Sequence, residues 1–394
     1  MNRKVTLLYI SLACVLSMQA QTRQQMGGVY YAYPEGPSAK TGTFGTATYV
    51  LSDSLNVPQG YAPFYISHYG RHGSRWMPKD DRYVWICKHF EDENNLTPLG
   101  LQVKGMLQRV WENAKGNGGR LSKLGALQHQ GIAHRMFERY PQIFAAGNAV
   151  KARSSVVDRC AKSMQAFTSE LHSLQPGLNL DVKTDSADMA WIAYVSPEVK
   201  ALENRTHVQA QVSPRRFLLQ LFKDVSKVDE PLKLMTEMHT VASSIQDVGL
   251  NFSSYPQDIE DGLNALFTDD EFRAIYEANN LRMAINNGIV ATNEDIPARS
   301  AISLWQNIEA EADRALQSSK SSATLRFGHD TALYRLLSLL FDVNVPPAGA
   351  REEANLVVLG DEMEKMDRVV PMAANLQMIF YKNAKDSVLV KFML

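Results

Sequence analysis

Short apolar runs that stop at a glycine alternate along this chain with longer stretches of helical periodicity, which predicts strands and helices in turn. One strand is expected from about Pro63 to Tyr69 and another from Thr324 to Gly328. The second run is followed by Asp330 and an apolar stretch from Thr331 to Leu340, so it reads as strand, turn and helix, with Asp330 near the N-cap. Helices are also signalled from about Asp81 to Phe90, from Thr97 as cap with Pro98 in the first turn, and from Leu121 to Tyr140. A strand at about Ala149 to Arg153 and a helix to about Leu174 complete a first α/β unit. From about 185 to 300 the pattern is almost wholly helical: Ser213-Pro214 and Asp229 open two helices, and Thr268 with Glu271 forms a capping box for a third. Strands resume at about Arg368 to Tyr381 and Ser387 to Leu394, while Gly27 to Asn56 reads as extended or irregular. The expected fold class is α/β, an open and mostly parallel sheet flanked by helices, assembled from 21–184 and 301–394 with a smaller all-α insertion at 185–300.

Composition narrows the partners. Hydrophobic content of 45% and charged content of 21% describe an ordinary globular protein. A formal net charge of -1 argues against nucleic acid, because no global basic field attracts a polyanion; affinity for an anion must be local. Residues 1–20 read as a signal peptide: Asn2-Arg3-Lys4 begins it, Val5 to Val15 is apolar and Ala20 precedes a plausible cleavage point. That core is too short to span a bilayer, so export without an anchor is expected, to the periplasm or beyond. Cys14 offers a lipoprotein alternative, disfavoured by Ser11 where a bulky aliphatic residue is preferred. Cys87 and Cys160 either pair into one disulfide or remain two buried thiols.

The chemistry concentrates at two strand ends. Arg71-His72-Gly73-Ser74-Arg75 places one imidazole between two guanidiniums, and the planar donor fork of arginine suits phosphate oxygens. Gly73 is expected to let the backbone turn sharply while leaving room for a ligand. An isolated Arg-His-Gly reads as an exposed basic turn; the second arginine and the preceding strand favour a site. His329-Asp330 likewise reads as a loop residue and a helix cap when taken alone. Together the two segments suggest a site at the C-terminal ends of neighbouring strands.

With both motifs in view, the chain resembles a histidine acid phosphatase, the branch of the histidine phosphatase superfamily that includes phytases, glucose-1-phosphatases and multiple inositol polyphosphate phosphatases. The family's Arg-His-Gly-x-Arg corresponds to Arg71 through Arg75, and its His-Asp pair to His329 and Asp330. The segment from Lys151 to Arg159 resembles the strand end that carries a third arginine, which assigns that role to Arg153. The resemblance implies a histidine phosphatase or phosphoglycerate mutase-like fold, with 21–184 and 301–394 as the catalytic unit and 185–300 contributing to specificity. Arg215, Arg216, Arg273 and Arg282 are then candidates for further phosphate contacts, against the alternative of a solvated helix face. Multiple-type inositol polyphosphate phosphatases usually carry His-Ala-Glu where this chain has His329-Asp330-Thr331, which favours the acid-phosphatase and phytase-like pattern. Relatives usually continue past Leu394, which leaves a truncation or a short form open.

The implied chemistry is hydrolysis of phosphomonoesters through a phosphohistidine on His72. Arg71, Arg75, Arg153 and His329 would stabilise the transferring phosphoryl group, and Asp330 would protonate the leaving oxygen and then activate water. No cofactor and no metal are expected, and His129 and His134 lack zinc spacing. The expected partner is a small phosphomonoester, inositol phosphates among the candidates, with no nucleic acid, no membrane span and a monomeric chain. A glucose-1-phosphatase-like or broad-specificity acid phosphatase is the alternative, ahead of a phosphoryl-transfer mutase or a non-catalytic phosphate-binding protein.

Overall fold

The structure, a computed structural model, describes residues 23–32, 57, 59–249, 262–290, 293–341, 344–345 and 369–394. The expected leader, Cys14 and most of the Gly27 to Asn56 segment lie outside the described residues. In chain order the first half runs β1 (Ala62–Arg71), α1 (Asp81–Lys88), α2 (Pro98–Ala114), α3 (Lys123–Arg139), β2 (Ala149–Ser154), α4 (Asp158–Leu174) and β3 (Asn179–Thr184). Then come α5 (Met189–Ile192), α6 (Pro197–Arg205), α7 (Arg215–Leu219), α8 (Pro231–Val248), α9 (Asp269–Asn287), a two-residue β4 (Ile289–Val290), α10 (Ile296–Arg299) and α11 (Ile302–Gln317). The remaining elements are β5 (Ser322–Gly328), α12 (Asp330–Phe341), β6 (Asn344–Val345), β7 (Asn375–Lys382) and β8 (Val388–Met393).

Six strands form one open sheet in the order β3-β2-β5-β1-β7-β8. The first four are mutually parallel, whereas β7 runs antiparallel to β1 and β8 antiparallel to β7. Every residue of β1 from Phe64 to Arg71 is buried, as expected of a central strand covered on both faces. On one face α3 and α4 bring Ile132, Met136, Phe167 and Leu171 against Ile66, Ala152 and Leu325. On the other, α11 and α12 bring Leu304, Ile308, Leu333 and Leu337 against Tyr69, Leu376 and Met378. Burying side chains of this size stabilises by about 1.5–3 kcal/mol each, which clamps the strand ends at fixed heights. Arg71 pairs with Gly328 across β1 and β5, and Ser154 with Phe327 across β2 and β5. The exits of three strands therefore lie side by side, the usual location of a ligand site in such a sheet.

A separate helical core lies beyond this sandwich. Phe217, Leu218, Leu234, Met238, Phe272 and Ile275 of α7, α8 and α9 share it with Tyr83, Ile86, Val103 and Val110 of α1 and α2. The helical core thus recruits residues on the N-terminal side of the boundary expected at 185, because amphipathic α1 and α2 bury their apolar faces there. Helix starts follow the local signals: the Thr97 hydroxyl accepts from Gly100 N–H with Pro98 as first helical residue, and both halves of the Thr268–Glu271 capping box form.

One strand starts later than its sequence suggests. Val369 to Ala374 is apolar and buried but lies outside β7, and Ala373 has a positive φ of 59°. Its backbone serves the site: Met372 N–H donates to Tyr31 O at 2.9 Å, Ala373 N–H to His72 O at 3.1 Å, and Arg71 N–H to Ala374 O at 2.8 Å. These residues are apolar because they are buried, and periodicity alone does not separate such a loop from a strand. Cys87 and Cys160 are both free, the first partly exposed and the second buried. Among the described residues no helix is long and apolar enough to cross a membrane.

Candidate active site

The loop leaving β1 is held on every side. His72 N–H donates to Gly328 O at 3.0 Å, which ties the exit of β1 to that of β5. Gly73 N–H donates to Ser163 Oγ at 3.1 Å and Ser74 N–H to Gln128 Oε1 at 2.9 Å. Ser122, the N-cap of α3, donates its hydroxyl and its amide to Ser74 O at 3.0 and 2.8 Å. A Cβ on Gly73 would lie 2.3 Å from Gly125 O, and a Cβ on Gly125 would lie 2.2 Å from Ser74 O. The expectation that Gly73 leaves room for a ligand is therefore corrected: the space is filled by the backbone of α3. Gly73 is needed for close approach and does not adopt a positive φ.

His72 is 2% exposed, and its Nδ1 is 2.9 Å from Gly73 O. With Nδ1–H donating to that carbonyl, Nε2 keeps its lone pair, the tautomer a nucleophile needs. Burial, then Arg71, Arg75 and Arg159, hold its pKa well below the ordinary histidine value, against a weaker opposite pull from the Gly73 carbonyl. The imidazole is neutral at neutral pH.

The cations around it come from the end of β1, the loop that follows it and the start of α4. Arg71 donates through Nη1 to Val29 O and Val370 O at 2.7 and 2.5 Å, and its Nη2 lies 3.2 Å from Asp330 Oδ2. Arg75 donates to Trp76 O at 2.9 Å and stands over the Tyr30 ring, 5.6 Å from its centroid. Arg159, in the first turn of α4, is the third guanidinium acting on His72. The Nε–H groups of Arg71, Arg75 and Arg159 are buried and have no hydrogen-bond acceptor among the described residues.

Arg153 is not part of this cluster, which corrects the sequence assignment. It sits inside β2 beside β3, with Nη2 2.6 Å from Asp181 Oδ2, Nη1 2.8 Å from Asp181 O and Nε 3.9 Å from Asp188. The cause is register. The strand ends at Ser154, so a residue at 153 still belongs to the sheet, whereas Arg159 follows the strand exit and reaches the site from the helix. The signal was present in Asp158-Arg159-Cys160, the start of α4.

The exit of β5 supplies the remaining groups. His329 N–H donates to Tyr69 Oη at 3.3 Å, its Nε2 lies 3.0 Å from Ser155 Oγ, and its ring centroid is 5.9 Å from that of His72. Burial, followed by Arg159, lowers its pKa to about 4. Asp330 is the first residue of α12, one place past the cap position expected for it, and its Oδ1 accepts Thr331 N–H at 2.9 Å. Burial raises the carboxyl, but Arg71, His329, Arg75 and the Thr331 amide outweigh it and hold the pKa below the usual carboxylate range. Three guanidiniums and one carboxylate leave the cluster with an excess of positive charge suited to a phosphate.

Sequence reasoning gave no weight to Asp247. It is buried near the end of α8, facing Ser74, Arg75 and Arg71, and burial pushes its carboxyl up to about 8 despite those neighbours. A lone acid in an apolar helix pattern gives no local clue to that environment.

Beside Asp330 opens a cleft with about 780 Å³ of empty space, part of it open to solvent. Val29, Tyr30 and Thr331 border it near the arginines, and Arg82, Asn279, Arg282 and Asn286 border it on the helical side. Of the four arginines singled out in the helical segment, only Arg282 lines this cleft; Arg216 is tied to Glu271 and Leu266 O. No group of three or more His, Cys, Asp or Glu side chains suited to a metal ion occurs among the described residues.

No family model matches the chain. Multiple inositol polyphosphate phosphatase 1 of Gallus gallus is 24% identical over 292 residues, which cover 70% of this chain and 63% of that protein, so less than two thirds of the relative's length is spanned. The Bifidobacterium longum multiple inositol polyphosphate phosphatase in complex with inositol hexasulfate has a TM-score of 0.66 at 16% identity, over 93% of this chain and 92% of that one. The phytase from D. castellii has a TM-score of 0.62 at 12% identity, over 94% and 78%. The fold is that of the phytases and histidine acid phosphatases.

Proposed function

We propose that this chain is a phosphoric monoester hydrolase that passes the phosphoryl group through His72 and prefers substrates bearing several phosphates, as inositol polyphosphates do. One observation carries the reading: a neutral imidazole whose Nδ1–H is held by Gly73 O lies among three arginines with unpaired Nε–H donors. His72 Nε2 attacks phosphorus in line, the N–P bond forms, and the ester P–O bond breaks. Arg71, Arg75, Arg159 and His329 stabilise charge on the equatorial oxygens. Asp330 gives its proton to the leaving oxygen, then takes one from the water that releases phosphate from His72. In the free site Asp330 is a carboxylate. Arrival of the phosphate anion offsets the arginines and raises that pKa, so the acid form is populated in the complex and at acid pH.

The preference for polyphosphates is supported by the adjoining cleft, whose far side carries Arg282 and, paired with Glu237, Arg82. The inositol hexasulfate complex of the Bifidobacterium relative is in accord. Having Asp330-Thr331 where multiple-type enzymes usually have Ala-Glu moves the carboxyl by one position and leaves the reaction class unchanged. Action outside the cytoplasm, in the periplasm or after secretion, rests on the leader-like residues 1–20, and the monomeric state remains part of the same proposal.

Initial rates on phytate, glucose 1-phosphate and an aryl phosphate test the reading. All three are hydrolysed by the wild type and none by His72→Ala. Arg282→Ala lowers kcat/KM for phytate by about tenfold, the worth of one charge-assisted hydrogen bond, and leaves the aryl ester nearly unchanged. Full turnover by His72→Ala would overturn the mechanism, and equal effects of Arg282→Ala on both esters would overturn the polyphosphate preference.

A further inference from the structure

In the proposed reaction His329 presents an N–H to the transferred phosphoryl group, and as a neutral imidazole it carries only one. The residue that decides which nitrogen bears it lies on a neighbouring strand exit. Ser155 follows β2 directly, is fully buried, and donates its own N–H to Phe327 O at 2.9 Å, which fixes it beside the end of β5. Its Oγ lies 3.0 Å from His329 Nε2 and accepts Val157 N–H at 3.3 Å.

We propose that Ser155 is a positioning residue whose hydroxyl donates to His329 Nε2, so that the ring is kept as the Nδ1–H tautomer and that N–H is the donor available to the phosphoryl oxygen. The hydroxyl has one hydrogen. With the Val157 amide already directed at Oγ, passing that hydrogen to Nε2 gives each polar group a partner. In the reverse arrangement Nε2–H and the Val157 amide would both donate to Oγ, and the serine hydrogen would turn to the Cys160 sulfur, a weaker acceptor than an imidazole nitrogen. Cys160 completes the seat. Its thiol donates to Gly328 O at 3.2 Å, and its sulfur lies 3.9 Å from Nδ1 and 3.8 Å from Nε2, packing on the ring without a strong claim on either nitrogen. The Tyr69 hydroxyl holds the backbone N–H of the same residue. The depressed pKa of His329 is consistent with a neutral ring whose tautomer is a matter of hydrogen bonding.

This inference rests on the phosphatase reading for its consequence but not for its measurement. Long-range proton–nitrogen NMR spectra of protein labelled with ¹⁵N-histidine, with His329→Asn to assign the signal, report the tautomer in the absence of substrate. The wild type shows a protonated Nδ1. Ser155→Ala shifts His329 toward the Nε2–H form and lowers kcat for an aryl phosphate by about 10- to 100-fold with KM changing far less, whereas Ser155→Thr keeps the tautomer and most of kcat. An Nε2–H ring in the wild type, an unchanged tautomer in Ser155→Ala, or a changed tautomer with unchanged kcat would overturn the proposal. Turnover by His72→Ala would sink the phosphohistidine reading while leaving the tautomer result standing.

Discussion

Arg71 Nη2 lies 3.2 Å from Asp330 Oδ2, so the guanidinium proposed to bind phosphate also favours the charged form of the carboxyl proposed as the proton donor. Asp330→Asn removes that proton without removing the arginine. The expected loss in kcat is about 10²- to 10⁴-fold for alkyl phosphates, whose alkoxides need the proton, and under about tenfold for an aryl ester with a good leaving group. Equal losses for the two esters would refute the assignment.

If His72 is the nucleophile, as proposed, its depressed pKa sets the acid limb of the rate profile. The imidazole must be neutral to attack, and burial with three arginines keeps it neutral well below the ordinary histidine value. As pH falls, kcat/KM therefore holds through the usual histidine titration range and declines only at more acid pH. A profile measured with an aryl phosphate checks this, and a limb centred near about 6.5, the unperturbed value, would contradict the buried, cation-flanked state.

Arg159 and Arg153 should separate cleanly. Arg159→Ala removes a cation from the phosphate cluster and is expected to lower kcat/KM by about 10²- to 10³-fold with little change in thermal midpoint. Arg153→Ala breaks partly exposed pairs with Asp181 and Asp188, worth about 0–1 kcal/mol, and should leave kcat/KM near wild type. Steady-state kinetics beside thermal melts on both variants decide the matter.

Gly73→Ala tests the close approach. Its methyl would stand 2.3 Å from Gly125 O, backbone that cannot rotate away. The expected cost is about 1–3 kcal/mol or more in stability together with loss of activity, read from urea unfolding and aryl phosphate turnover. A fully stable and active variant would show that α3 and the loop can move apart.

Asp247 predicts a pH-dependent stability. Burial pushes the folded carboxyl up to about 8, while the unfolded chain ionises it near about 3.9. Between those values the folded state holds a proton that the unfolded state has lost, so stability falls as pH rises through the window, by up to about 1.4 kcal/mol per unit. Asp247→Asn removes the ionisation and should gain stability relative to wild type progressively from pH 5 to pH 8 in denaturant titrations.

Helix starts, strand cores and the two motifs at the strand exits were legible in the chain, because each depends on neighbours within a few residues: Thr97 caps its own helix, and Arg71 and His72 leave the strand they terminate. What local pattern did not decide was which side chains meet. The third arginine is Arg159 and not Arg153 because one strand register and one helix start determine which of them passes the sheet edge. The helical core extends to α1 and α2, the apolar segment before β7 is a buried loop, and Asp247 faces Ser74 and Arg75, all through contacts distant in sequence. Sequence specifies chemistry wherever hydrogen bonding and periodicity are local. Position, burial and charge state came from packing, since a pKa or a tautomer depends on everything that excludes water around the group.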